Sequence, residues 1–286
     1  SFLPFGFYIC TEKCMIMNKI QKIFKTLKLV LKQPSLINLI IDSDERWNAF
    51  IQKKHPLKTQ LPTIDFKDLL PNSDYSLNTF SFLGGGSLPT DIMLLAGVCK
   101  QIQDCSYFEI GTWRGESVIN VSENAKECYT LNLSKDQILE LGLPKKYADL
   151  HGFYSKEKEN ITHLFGNSLT YDFGKLNKKF DVIFIDGNHK YDFVKNDTAK
   201  VFKHLMHENS IVIWHDYAYE PEKVRPEVLA GILDGIPEKY QDNLYHVSNT
   251  LCAIYTNKKI DSSIWNFPVK PNKFFSINAT LKEIKD

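Results

Sequence analysis

Arginine is almost absent: Arg46, Arg114 and Arg225 are the only ones among 35 basic residues in a chain of 286. Lysine carries nearly all the positive charge, and it lacks the planar fork that reads phosphates and bases with paired hydrogen bonds. With 34 acids the formal charge is only +1, so the footprint of a nucleic-acid binder is missing and no nucleic-acid partner is expected. Cysteines are few and unpaired in pattern. Cys10, Cys14, Cys99, Cys105, Cys128 and Cys252 form neither a CxxC nor a dense disulfide scaffold and are read as reduced. Cys99, Cys128 and Cys252 sit in apolar runs, where the thiol behaves as a small hydrophobe. No apolar run reaches the ~18 residues that span a bilayer. The apolar opening, Ser1 to Cys10, has no basic stretch ahead of it and makes a poor signal peptide; Met15 or Met17 fits a natural start, and a cytoplasmic location is expected. Internal repeats and low-complexity tracts are lacking too.

What is present suits a globular enzyme-sized core: 43% of residues are hydrophobic and 24% charged. The length fits one domain with added terminal segments rather than two equal domains. Residues 1–86 read as an N-terminal helical extension and connecting arm, 87–257 as the main domain, and 258–286 as a tail that either wraps the core or forms a homo-oligomer contact. Within the extension, Ile20, Ile23, Phe24, Leu27, Val30 and Leu31 recur at helical spacing, with Lys19, Lys22, Lys25, Lys28 and Lys32 between them and no acid. This basic amphipathic helix over 18–32 is open to two readings, packing on a core or partner and peripheral contact with a membrane surface. Gln33-Pro34-Ser35 ends it, a second short helix is expected over 36–50, and the Pro-, Asn- and Gly-rich stretch 54–86 is the arm. Gly84-Gly85-Gly86 is either a plain turn or a mobile loop.

From Ser87 the pattern becomes regular. Strands are expected at 107–110, 128–133, 161–165, 180–185 and 211–214, and helices over 91–103, from 116, and over 192–207. Such alternation gives a mostly parallel sheet covered on both faces. Residues 244–247 and 251–255 are too close for a crossover and should form an antiparallel hairpin at one edge.

The chemistry should gather at the C-terminal strand ends. The first carries Glu109-Ile110-Gly111-Thr112-Trp113-Arg114-Gly115-Glu116-Ser117, with two glycines that let backbone approach a ligand and a helix start that suits a carboxylate. It is not the GxGxxG of nicotinamide enzymes. The second end carries Asn132, and the third Gly166-Asn167-Ser168, which reads equally as an Asx turn. At the fourth, Asp186 ends a buried run and His189 follows three residues on. The fifth ends in His215-Asp216. Neighbouring parallel strands lie ~4.8 Å apart, so Asp186, His215 and Asp216 can converge on one cation. Carboxylates suit Mg²⁺, and the histidine admits Mn²⁺, Fe²⁺ or Zn²⁺.

An α/β sheet of this kind, seven-stranded with a C-terminal antiparallel hairpin, resembles the Rossmann-like class I S-adenosylmethionine-dependent methyltransferase fold. The ExGxxxGxS loop resembles that of the catechol-type and macrolide or cephamycin-pathway O-methyltransferases, and Asp-Gly-x-His-x-Tyr followed by His-Asp resembles the metal-dependent members acting on sugar and polyketide hydroxyls. The resemblance spans about residues 80–256. It implies S-adenosylmethionine held by the loop Gly111, Thr112, Trp113, Gly115 and Ser117, with Ser117 on its carboxylate and Glu109 orienting the loop. Asn132 stands where the family has an acid on the ribose, and Asn167 and Ser168 approach the adenine. Asp186 also borders the cofactor. Asp186, His215 and Asp216 would bind a divalent metal, Mg²⁺ or Mn²⁺, and His189 would be the general base. The implied activity is O-methylation of a small-molecule or glycan hydroxyl, with Tyr217, Tyr219, Phe80, Phe82 and the Gly84 loop as lid or as core and turn.

Two other classes compete. A metal-dependent hydrolase would use the Asp/His cluster without the loop, and a non-catalytic nucleotide-binding scaffold would keep the loop without needing His189.

Overall fold

Phe180-Asp181-Val182-Ile183-Phe184-Ile185 turns apolar side chains to both faces, the pattern of a strand buried between two helical layers. The computed structural model, which describes residues 19–37, 41, 43–71 and 75–284, places that strand near the centre of a nine-stranded sheet. The strands are β1 Thr63–Ile64, β2 Ser106–Ile110, β3 Glu127–Asn132, β4 Ile161–Phe165, β5 Phe180–Ile185, β6 Met206–Trp214, β7 Ala218–Glu220, β8 Lys223–Val224, β9 Leu244–Val247, β10 Ala253–Tyr255 and β11 Ser262–Ser263. The helices are α1 Lys19–Lys32, α2 Asp44–Lys54, α3 Phe66–Leu69, α4 Pro89–Lys100, α5 Glu116–Val121, α6 Lys135–Glu140, α7 Lys145–Asp149, α8 Tyr191–His204 and α9 Pro226–Gly235.

The sheet runs β11-β1-β9-β10-β6-β5-β2-β3-β4. Strands β4, β3, β2, β5 and β6 are parallel throughout, and β10 is antiparallel to both β6 and β9. Chain order reverses at β2, between β3 and β5, and such a switch point opens a crevice at the strand ends. The antiparallel hairpin exists, but it is not the edge. Strand β1 pairs in parallel with β9, and β11 pairs with β1 in turn. The boundary expected at residue 86 moves for the same reason: the two compact units divide between Arg46 and Trp47. Residues 47–86 belong with the main unit because Ile51, Leu61, Ile64 and Phe66 are all buried in its core. Positions 1–18, with Cys10, Cys14, Met15 and Met17, lie outside the described residues.

One core layer joins Phe180, Ile183, Val201, Trp214 and Leu229, and the other joins Leu94, Val98, Val118, Phe184 and Ile213. The indole of Trp214 donates to Thr198 Oγ1 at 2.8 Å, tying α8 to β6. Helix α9 has no counterpart in the expected element list. Its Gly231 and Gly235 dilute the helical signal, yet they let α9 close on α8: a Cβ at Gly235 would stand 2.6 Å from the Lys195 carbonyl. Of the helix expected over 36–50, the described residues show a 3₁₀ turn at Pro34–Ile37 and α2, while positions 38–40 and 42 lie outside them.

The tightest approach in the sheet is at its switch point. Gly111, at φ +98°, has so little room that an added Cβ would meet the Asp186 carbonyl oxygen at 2.0 Å. The glycine thus admits strand β5's end rather than a ligand. Gly142, at φ +77°, faces open space. Gly142→Ala should therefore lose only the ~1 kcal/mol of left-handed backbone strain. Gly111→Ala should lose several times that or fail to fold, as chemical denaturation of both variants will read.

Candidate active site

At the end of β2, Glu109 is fully buried and accepts three hydrogen bonds: from Tyr107 Oη at 2.9 Å, Ser117 Oγ at 2.9 Å and Thr130 Oγ1 at 3.0 Å. Burial pushes its carboxyl up to about 8, against those three bonds, with the Asp186 charge adding to the rise. Thr112 bonds Thr130 in the same cluster. Ser117 thus spends its proton on Glu109, and toward the pocket its oxygen offers lone pairs. That suits an ammonium better than the carboxylate the resemblance assigned to it.

The next residues hold the arm. Arg114 reaches the carbonyls of Gly84 and Leu83 at 3.2 and 3.3 Å while pairing with Glu116 at 3.1 Å, and Glu116 accepts the Ser81 N–H at 2.6 Å. Gly84-Gly85-Gly86 is a fastened turn. Between this turn and the β2 loop lies a pocket lined by Phe80, Gly86, Thr112, Trp113, Ser117 and Asp186, among others.

Trp113 stacks at 4.6 Å on Tyr147 and meets His151 edge-on at 5.2 Å. Asn132 donates its amide to His151 Nδ1. His151 therefore keeps its proton on Nε2, and burial holds its pKa below the ordinary value. His151 Nε2 and Trp113 Nε1 are both buried without a partner, two unspent groups at the β2 and β3 ends. Asn167 and Ser168 point elsewhere: Asn167 Oδ1 closes an Asx turn on the Leu169 N–H at 3.0 Å, and Ser168 donates to Asp197 at 3.1 Å. Burial raises Asp197 to about 6.

Across the switch point, Asp186, His215 and Asp216 each offer one ligand atom, all within 4.8 Å of one another. His215 Nδ1 faces Asp186 Oδ1 at 3.2 Å and Asp216 Oδ2 at 3.5 Å, while its Nε2 meets Asp91 Oδ2 at 3.1 Å. Asp91 is fully buried and also accepts the Leu88 N–H at 2.6 Å and the Leu251 N–H at 2.8 Å. Burial disfavours the charged His215 ring, but the three carboxylates outweigh it and raise its pKa well above the usual value. Burial likewise pushes Asp186 up, whereas His215 and Arg225 hold Asp216 down despite its burial. Asp216 sits at φ +56° and Trp113 at φ +42°, strained backbone of the kind that collects at functional sites.

The donor set fits a divalent cation. A bound cation would take the place of the His215 Nδ1 proton, leaving Nε2–H on Asp91 and the Nδ1 lone pair turned to the position flanked by Asp186 and Asp216. The carboxylate behind a ligand histidine is the usual outer support of such a site. Asp91 was invisible in the sequence, where it reads as an ordinary acid in a helix's first turn.

Arg225, just ahead of α9, bridges the cluster to His189: one guanidinium nitrogen lies 3.2 Å from Asp216 Oδ1 and another 2.9 Å from His189 Nδ1. A guanidinium only donates, so Nδ1 is the bare nitrogen and the neutral ring carries its proton on Nε2. Burial and Arg225 together lower the His189 pKa. Of the expected lid residues, Phe80 lines the pocket and Tyr219 stacks on Arg225 at 5.1 Å. Tyr217 is core, its hydroxyl accepting the Leu61 N–H at 2.9 Å.

Residues 108–217 match the family described as "Methyltransferase domain". No curated protein matches the chain. A methyltransferase from Podospora anserina with S-adenosylhomocysteine bound is 16% identical, over 60% of this chain and 80% of that one, with a TM-score of 0.44. An O-methyltransferase from Bacillus cereus in complex with S-adenosylhomocysteine is 18% identical, over 74% of this chain and 99% of that one, at 0.41. An amino pentose methyltransferase of calicheamicin biosynthesis from Micromonospora echinaspora is 13% identical, over 49% and 55%, at 0.35. Residues 108–217 are thus similar to a methyltransferase domain, and they lie on the part of the sheet whose strand order is that of a doubly wound α/β fold.

Two outcomes follow. Glu109 is raised from 4.5 to about 8 by folding, so between those values the unfolded chain binds fewer protons than the native one. Stability should fall as pH rises through that window, by up to about 1.4 kcal/mol per pH unit. Glu109→Gln should flatten the fall in melting curves taken across the range. The second concerns His189: in protein labelled at histidine with ¹⁵N, its Nδ1 should resonate as the bare nitrogen and Nε2 as the protonated one, and Arg225→Met should abolish that bias.

Proposed function

We propose that the protein transfers the methyl group of S-adenosylmethionine to a hydroxyl oxygen, with a divalent cation at Asp186, His215 and Asp216. One observation carries the reading: a single pocket is bounded on one side by the Thr112–Ser117 loop and on the other by Asp186 of the carboxylate–imidazole cluster. Neither a hydrolase nor a binding scaffold needs both walls. S-adenosylmethionine supplies an electrophilic methyl, and a bound cation supplies a Lewis acid that makes a hydroxyl a better nucleophile.

The chain's own residues do the rest. The unspent groups of Trp113 and His151 fit the polar edge of a nucleoside, and the lone pairs of Ser117 fit an ammonium. Asp91 keeps His215 turned so that its Nδ1 faces the two carboxylates. With Arg225 on Nδ1, His189 can only donate from Nε2 and so orients the acceptor oxygen; with Arg225 withdrawn onto Asp216, its second partner, the ring becomes the proton acceptor that the resemblance implied. Positioning of this kind is worth much of a methyl transfer, which needs in-line attack at close range. A ring-bearing acceptor such as a sugar or glycosylated small molecule suits Phe80 on the pocket wall.

Calorimetric titration tests this. S-adenosylmethionine and S-adenosylhomocysteine should both bind saturably. Asp216→Asn should weaken Mg²⁺ or Mn²⁺ binding tenfold or more while leaving S-adenosylhomocysteine bound. With a sugar-hydroxyl panel, His189→Ala should lower kcat by about 10²-fold. Failure of both nucleosides to bind under every cation condition would sink the reading.

A further inference from the structure

Helix α1 lies outside the matched segment and outside the pocket, and the proposed reaction makes no use of it. Its 14 residues hold five lysines and no acid. Laid out at about 100° per residue, Ile20, Ile23, Phe24, Leu27, Val30 and Leu31 fall within a sector about 120° wide, and Lys22, Lys25, Lys28 and Lys32 fill the opposite side. Folded helices normally bury such a stripe. Here Ile20, Ile23, Phe24, Leu27 and Leu31 are 54–83% exposed, and α1 has no buried residue among those described.

We propose that α1 lies in the plane of an anionic lipid surface, its apolar stripe among the acyl chains and its lysines on the headgroups. The charge pattern selects this occupant. Pairing with a second copy would bury the stripe but leave both lysine-rich faces turned outward with no acid to neutralise either, whereas paired helices usually flank their seam with charges of both signs. A surface of phosphatidylserine offers what both faces lack, hydrocarbon for one and negative charge for the other. At about 21 Å the helix is too short to cross the ~30 Å hydrocarbon layer, and no helix among the described residues is long and apolar enough to do so. It therefore lies on the surface.

The proposal is independent of methyl transfer, and its test needs no turnover. The full chain is sedimented with vesicles of phosphatidylcholine alone and of phosphatidylcholine with phosphatidylserine in equal parts. Binding is expected to the anionic vesicles only, weakening as salt rises. The triple change Lys22→Glu, Lys25→Glu, Lys28→Glu should abolish it, each lysine being worth roughly fivefold in partition. Leu27→Ser should lower binding severalfold, whereas Leu29→Ser, on the lysine side of the wheel, should leave it unchanged. That contrast separates insertion of a defined stripe from general stickiness. Equal binding to both vesicle types, equal loss from Leu27→Ser and Leu29→Ser, or no binding at all would overturn the proposal. So would a dimer in light scattering that Phe24→Asp dissociates while vesicle binding is absent, because the stripe would then belong to a second copy.

Discussion

The contact between Gly111 and the Asp186 carbonyl governs the geometry of everything above it. Because residue 111 has no side chain, the ends of β2 and β5 close until the cofactor-type loop of one and the acidic tip of the other border one pocket. The backbone enforces the closure as well: the Asp186 N–H donates to the Ile110 carbonyl at 2.8 Å and the Gly111 N–H to the Leu131 carbonyl at 2.9 Å, so three strand ends are locked together. With a side chain at 111 the Asp186 carboxyl could not stand where it faces His215.

Buried carboxylates are the second organising element. Glu109 is satisfied by hydroxyl donors and stays largely neutral near pH 7. Asp91 is held by two backbone N–H groups and an imidazole instead. One acid fastens the loop that would hold a nucleoside; the other aims the histidine of the cation-type cluster. A shared fold thus assigns opposite electrostatic duties to two acids on either side of one crevice.

The strand ends were legible in the sequence because each buried strand is an unbroken apolar run stopped by a polar residue. β4 and β5 lie where that pattern puts them, and Asp186, His215 and Asp216 converge because neighbouring parallel strands bring their ends together. The supports were not legible. Asp91 meets His215 across 124 positions, and Arg225 meets His189 across 36, so no local spacing announces either. Two-residue strands such as β1 and β11 have no period to detect, and α9 hid behind glycines that serve its packing. Asn132 reads as a ribose ligand until His151, from an unforeseen turn after α7, takes its amide.

The scarcity of arginine acquires a use in this light. Two of the three guanidinium groups belong to the site, Arg114 lining the pocket and Arg225 bridging Asp216 and His189, and their side chains are mostly shielded, at 8% and 15% exposure. An arginine-selective dicarbonyl reagent would find only Arg46 exposed on this lysine-coated surface. Uptake beyond that first equivalent would report how often the crevice breathes open, without any engineered probe.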